Sequence, residues 1–275
     1  MAMTDVAERR KRGQDKAGGW GETVRTVVYA VLIAVVVRTF AIEPFNIPSG
    51  SMIPTLLIGD YLFVSKYSYG YSKHSFPFSM GFFSGRIFET PPTRGDVAVF
   101  KYPGDQGQGF NRTDYIKRIV GMPGDRIKMT NGLLYINGKA VERTRIGEYN
   151  RGNGFGRKGT LYDEVLPNGV SHEILETSDN QSSDNTPEFL VPAGHYFAMG
   201  DNRDDSLDSR TQLQIRDGMG VIRLRDELGW YVPAENLVGR AEFIFFSHDP
   251  SAAGWLEPWK WPGAIRFGRL FMAIH

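Results

Sequence analysis

The first apolar stretch of this chain differs in kind from all the others. From Thr26 to Val37 it reads TVVYAVLIAVVV without a charge, with Glu22 and Arg25 before it and Arg38 just after. That run alone falls short of the ~20 residues needed to cross a hydrocarbon core of ~30 Å. Continuing through Arg38 into Thr39-Phe40-Ala41-Ile42 supplies the length, provided Arg38 snorkels its guanidinium to the interface. Three readings fit: a retained membrane helix over 23–43, a buried core helix, and a cleaved signal peptide. The following Glu43-Pro44-Phe45-Asn46 lacks the small residues of a cleavage site, and a retained helix is the expectation. Arg9, Arg10, Lys11, Arg12 and Lys16 precede it. Basic residues close to a span mark the cytoplasmic side, so residues 1–22 read as a cytoplasmic tail and the rest of the chain lies outside. A solvated tail or a patch for anionic lipid fits the same basic run and keeps that orientation.

Beyond Ile42 the pattern shifts to short runs of β-formers: Tyr61–Tyr67, Asp96–Tyr102 and Tyr115–Val120. Turn signals bound them at Arg94-Gly95-Asp96, Pro103-Gly104-Asp105 and Met122-Pro123-Gly124-Asp125. Leu133–Lys139 reads as a strand entering an Asn137-Gly138 hairpin turn. Strand character returns at Phe189–Val191, His195–Met199 and Leu237–Phe246. The polar stretch 141–187, with Asn180-Gln181-Ser182-Ser183-Asp184-Asn185, predicts an accessory inserted region with mobile loops. Leu213–Gly229 is charged and predicts a short helix or a loop. The expected fold is mainly β: an antiparallel sheet over 44–140 and 188–275 with a β-rich insertion, behind one N-terminal transmembrane helix.

Composition narrows the chemistry. With 41% hydrophobic and 23% charged residues the chain is globular, and a net charge of +1 gives no footprint for nucleic acid. The 32 Gly and 15 Pro suit turns and short strands over a helical bundle. Zero Cys excludes disulfides, thiolate zinc sites and a cysteine nucleophile without assigning a compartment. Near the end, Trp255, Trp259 and Trp261 crowd one segment, and membrane-interface and core readings serve it equally.

Few bases are available. None of the five His sits in a catalytic context. His172-Glu173-Ile174-Leu175-Glu176 approaches H-E-x-x-H but has Glu where the second ligand belongs. Ser51 lacks a G-x-S-x-G elbow. The acidic run Asp201–Arg210 fails as an EF-hand, because Arg203 and Ser206 occupy its third and sixth places. What remains is Ile47-Pro48-Ser49-Gly50-Ser51-Met52-Ile53-Pro54-Thr55-Leu56, either a linker turn or an exposed nucleophile. Beside it stands Asp114-Tyr115-Ile116-Lys117-Arg118-Ile119-Val120, where Lys117 shares a strand face with Tyr115 and Ile119. Lys117 is either solvated there or desolvated, with its pKa lowered until the amine acts as a base.

The segment Ile47–Leu56 resembles the serine box of bacterial type I signal peptidases, or leader peptidases, and Asp114–Asp125 resembles their lysine box. Arg94–Phe100 is similar to the strand motif between the two. Gly200–Arg210 matches the final box, and Val238-Gly239-Arg240-Ala241 follows it as in the family. The resemblance implies a membrane-bound serine endopeptidase that removes signal peptides from exported preproteins, cleaving after small residues at the first and third positions before the bond. It implies Ser51 as nucleophile and Lys117 as general base, with the Ser49 hydroxyl and the Ser51 N–H forming an oxyanion hole. It further implies that Ser206 orients the lysine and that Asp208 and Arg210 form a supporting ion pair, while Asp201 and Arg203 are structural. Ile47, Pro48, Met52, Leu56, Tyr115 and Ile116 would line the nearer substrate pocket, and Phe45, Leu62 and Val99 the farther one. No metal or organic cofactor is implied. The partners are preprotein signal peptides, the lipid bilayer and nearby export machinery, at the bacterial cytoplasmic membrane with the catalytic side outward. Two departures stand out: one N-terminal span where some members have two, and a long stretch from Thr211 to Trp230. Rival functions are a soluble Ser-Lys hydrolase such as a self-cleaving repressor, a tethered binding protein without catalysis, and an esterase using a histidine.

Overall fold

The computed structural model describes residues 20–76, 83–105, 112–150, 158–216, 222–253 and 256–275. The basic cluster at Arg9–Lys16 and Trp255 lie outside them. Helix α1 spans Trp20–Phe40, with mean hydropathy 1.8 over its most apolar window, and only 6% of that window is buried. A core helix would hide one face. α1 hides neither, so the buried-helix reading falls. The helix ends earlier than the expected 23–43 segment, because Ile42 and Glu43 already belong to a strand. Arg38 folds back onto Glu43 at 2.6 Å, and Lys66 reaches the other oxygen of that carboxylate at 2.8 Å.

The strands are β1 (Ile42–Asn46), β2 (Asp60–Ser65), β3 (Tyr71–Ser72), β4 (Arg86–Ile87), β5 (Val97–Lys101) and β6 (Asp114–Gly121). They continue with β7 (Arg126–Thr130), β8 (Leu133–Ile136), β9 (Lys139–Ala140), β10 (Glu142–Tyr149), β11 (Gly159–Val165) and β12 (Ser171–Glu176). β13 (Phe189–Leu190), β14 (His195–Met199), β15 (Gln212–Arg216), β16 (Ile222–Leu228), β17 (Val232–Pro233) and β18 (Leu237–Ser247) complete the set. The main sheet has the order β1-β2-β18-β5-β6-β14-β17, and its named pairings are antiparallel. Its faces bury one group around Phe100, Ile119 and Trp230 and another around Met52, Leu62, Val99 and Ile244. A third group forms where β7 and β8 pack on Phe189 and Phe197. This is the mainly antiparallel β fold that the alternating runs predict.

One expectation of the insertions is met and another needs correction. The polar stretch 141–187 carries the expected β-rich insertion: β10, β11 and β12 form a three-stranded sheet of their own. Among its described residues Leu213–Gly229 holds strand in place of a helix or plain loop: β15 and β16 pair antiparallel, Gln212 opposite Leu228 and Arg216 opposite Ile222. β10 carries charge along a largely exposed length, and in β16 the apolar Ile222, Leu224 and Leu228 are exposed like the described charges between them, which masks the alternation. The predicted Asn137-Gly138 turn is present, both residues having positive φ, at 55° and 75°.

Candidate active site

Ser51 lies in the turn that follows β1. Backbone bonds Ile53 N–H to Gly50 O (3.1 Å) and Leu56 N–H to Met52 O (2.8 Å) coil the segment tightly. Lys117 lies on β6, opposite Ala98 of β5. Pairing in the sheet carries it, 66 residues along the chain, to within 2.7 Å of Ser51 Oγ. Its Nζ also donates to the Ile116 carbonyl at 2.9 Å and sits 5.5 Å from the centre of the Tyr115 ring.

Both groups are enclosed, Ser51 at 8% exposure and Lys117 at 4%. Burial lowers the lysine pKa from 10.5 to about 8, against the opposing pull of Asp208 and Asp201. The loss of hydration outweighs two carboxylates because neither makes a direct ion pair with the amine; each is claimed by an arginine. Asp208 pairs with Arg210 at 2.8 Å and accepts the Gly200 N–H at 2.9 Å. Asp201 takes two bonds from Arg118, at 2.9 and 2.8 Å, and one from the Thr55 hydroxyl at 2.6 Å. Burial alone would raise both carboxyls, but the guanidiniums beside them hold both below the ordinary range.

The oxyanion candidate Ser49 is exposed, with its Oγ 3.4 Å from Ser51 Oγ. Ser206 lies beside the Asp208 carboxylate. Its Oγ is buried and forms no hydrogen bond to Lys117; the lysine's second contact is the Ile116 carbonyl. Ser206 instead crowds Gly200, where a Cβ would stand 2.3 Å from its Oγ and 2.4 Å from the Ser51 carbonyl. Among the residues expected in the pockets, Met52, Leu56 and Leu62 expose nothing, while Val99 and Ile47 expose 1% and 3%. These five are packed core under the Ser51 turn. Pro48 is exposed and Phe45, Tyr115 and Ile116 are half-buried, so the accessible surface beside the serine belongs to them.

Several contacts were not read from the sequence. The Asn202 N–H donates to the Ser51 carbonyl at 3.1 Å, and its side-chain amide donates to Gly50 O at 3.0 Å. Leu175 of β12 clasps the same segment by accepting from Arg203 N–H and donating to Asp201 O. Arg203 forms a two-pronged pair with buried Glu164 of β11. Nothing in the linear pattern distinguishes Asn202 from its polar neighbours; its role exists only once β12 and the serine turn meet. The His172 ring lies 3.4 Å from Glu164, and burial lowers its pKa to about 4. It belongs to this structural cluster and not to Ser51.

A single site thus unites a hydroxyl, an amine relieved of much of its affinity for protons, and a set of braced loops. That equipment suits acyl transfer to water through a serine ester. The family profile described as "Signal peptidase, peptidase S26" matches residues 20–246. Signal peptidase I of Rickettsia typhi (strain ATCC VR-144 / Wilmington) is 40% identical over 267 residues, covering 90% of this chain and 91% of the relative. Signal peptidase I of Rickettsia conorii (strain ATCC VR-613 / Malish 7) is 40% identical over 276 residues, covering 93% and 92%. A crystal structure of a signal peptidase I from Enterococcus faecalis V583 aligns at 22% identity with a TM-score of 0.27, covering 55% of this chain and 97% of that one.

Proposed function

This chain belongs to the signal peptidase S26 family and is a serine peptidase that cleaves signal peptides; we propose that it does so through a dyad of Ser51 and Lys117. Lys117 Nζ, in the unprotonated form that its lowered pKa makes accessible near neutral pH, takes the Ser51 hydroxyl proton as Oγ attacks the scissile carbonyl. The resulting oxyanion is held by the Ser51 N–H and the Ser49 hydroxyl. As the C–N bond breaks, Lys117 passes its proton to the leaving amine. A water then enters, gives its proton to Lys117, and attacks the serine ester. That step frees the signal peptide and restores the hydroxyl. The observation that carries this reading is the 2.7 Å separation of Nζ and Oγ inside a site dry enough to lower the lysine pKa to about 8.

The substrate binds extended along β6. Strand β14 pairs only with Arg118, Ile119 and Gly121, so the Asp114–Lys117 half of β6 offers an edge for strand addition beside the nucleophile. With Met52, Leu56 and Leu62 packed solid beneath, the surface left between Pro48, Phe45 and Ile116 is shallow. A shallow surface favours small side chains at the first and third positions before the cleaved bond. α1 crosses the bacterial cytoplasmic membrane, with the basic tail inside and the β body outside, within reach of lipid and the export machinery.

The test uses detergent-solubilised full-length protein and a preprotein. Wild type is expected to cut after a small-x-small site, while Ser51→Ala and Lys117→Ala each lose ~10²–10⁴ of the turnover. A Lys117→Ala enzyme working at near-normal rate rejects the dyad.

A further inference from the structure

Away from Ser51, three carboxylates from separate parts of the chain converge. Glu176 closes β12, Asp184 lies in the connection from β12 to β13, and Asp204 follows the Asp201–Arg203 segment. Each offers an oxygen within 4.8 Å of the others. The protein holds one oxygen of each. Glu176 Oε1 faces Arg143 Nη1 at 3.5 Å, Asp184 Oδ2 accepts the Gln181 N–H, and Asp204 Oδ2 accepts the N–H groups of Thr177 (2.6 Å) and Ser178 (2.9 Å).

The second observation concerns the other oxygens. Glu176 Oε2, Asp184 Oδ1 and Asp204 Oδ1 are all buried and accept no hydrogen bond among the described residues. The Glu176 and Asp184 residues are 2% and 0% exposed, so water does not reach them freely. A buried acceptor without a donor is destabilising, and three anionic ones side by side repel each other as well.

We propose that Glu176, Asp184 and Asp204 bind a hard divalent cation of the calcium class. Two oxygens sharing a calcium ion at ~2.4 Å each can stand at most ~4.8 Å apart, and the three carboxylates lie within that limit. The donors are carboxylate oxygens without nitrogen or sulfur, which disfavours zinc and copper. They come from a strand end and two loops and so suit calcium's tolerant geometry better than the strict octahedron of magnesium. The EF-hand pattern fails on the Asp201–Arg210 run because this site takes one ligand from that run and two from elsewhere. A cation here ties β12 and its following loop to the segment carrying Asn202, behind the serine turn. The proposal stands whether or not the dyad does.

The test is calcium titration of the detergent-solubilised full chain after EDTA treatment and desalting, by calorimetry and by Tm. Wild type is expected to bind one calcium with Kd below about 1 mM, to gain Tm, and to respond less to magnesium. Glu176→Gln and Asp184→Asn should lose at least tenfold in affinity while melting in EDTA no lower than wild type. Asp205→Asn, at an exposed position outside the cluster, should bind as wild type does. No heat and no Tm shift for wild type at 10-fold above that Kd (about 10 mM) overturns the proposal, as does an undiminished response in Glu176→Gln and Asp184→Asn.

Discussion

Lys117 is a cation in a place that disfavours charge, and the penalty has a sign that can be checked. Its pKa in the folded chain is about 8, against 10.5 for the unperturbed side chain. Between those values the unfolded chain keeps a proton that the folded one has released, so stability rises with pH across that window. Below about pH 8 both states hold the proton and the full penalty is present, of order 3 kcal/mol at ~1.4 kcal/mol per unit. Lys117→Met should accordingly abolish turnover yet give a Tm at pH 7 equal to or above wild type, by calorimetry. The same pKa predicts that kcat/KM climbs about tenfold per pH unit below 8 and levels off above it. A profile flat from pH 6 to 9 would sink the proposed base. Gly200 poses a steric test: a methyl there would stand 2.4 Å from the Ser51 carbonyl and 2.3 Å from Ser206 Oγ. Gly200→Ala should cut kcat by ~10² by shifting the nucleophile, with little change in the far-UV spectrum. At this scale the sequence was half legible. Ser51 and Lys117 each had an innocent reading, as linker turn and as solvated strand position, and only the likeness of several segments to one family joined them. Asn202 and the Ile116 carbonyl stayed hidden because backbone partners leave no mark on residue type.

Strands covered on both faces could be read directly from their runs of β-formers. Val97–Lys101, Asp114–Gly121 and Leu237–Ser247 are rich in β-branched and aromatic residues because both of their faces meet core. The β10–β12 sheet was legible only in outline, since β10 is largely exposed and carries charge along its length. Besides the backbone bonds of Leu175, a buried ion pair fastens this sheet to the site: Arg203 with Glu164, each about 1% exposed or less. Burial alone would raise the Glu164 carboxyl, but Arg203 more than offsets it and holds it below the ordinary range. Arg203→Ala would strand that anion in the interior, a loss of ~3–5 kcal/mol. Urea unfolding measures it. Arg203→Leu combined with Glu164→Leu should recover much of that loss, because the desolvation penalty goes with the charges. Recovery of stability without activity would show that the pair also sets the height of Asn202 behind Ser51.

For the molecule as a whole, the join between α1 and β1 matters most. Only Ala41 separates the helix from the edge strand, and Arg38, Glu43 and Lys66 lock the junction. The chain from Phe40 to Ser51 spans at most ~40 Å even if drawn straight, and part of it is already committed to β1. With α1 embedded in a bilayer, the nucleophile is kept on a short leash and works only on bonds presented within a few nanometres of the lipid surface. Lengthening that leash with a flexible Gly/Ser spacer after Ala41 should leave hydrolysis of a short free peptide intact while slowing cleavage of a preprotein held in vesicles. Selectivity for where a bond lies, beyond what flanks it, would then follow from the length of a tether.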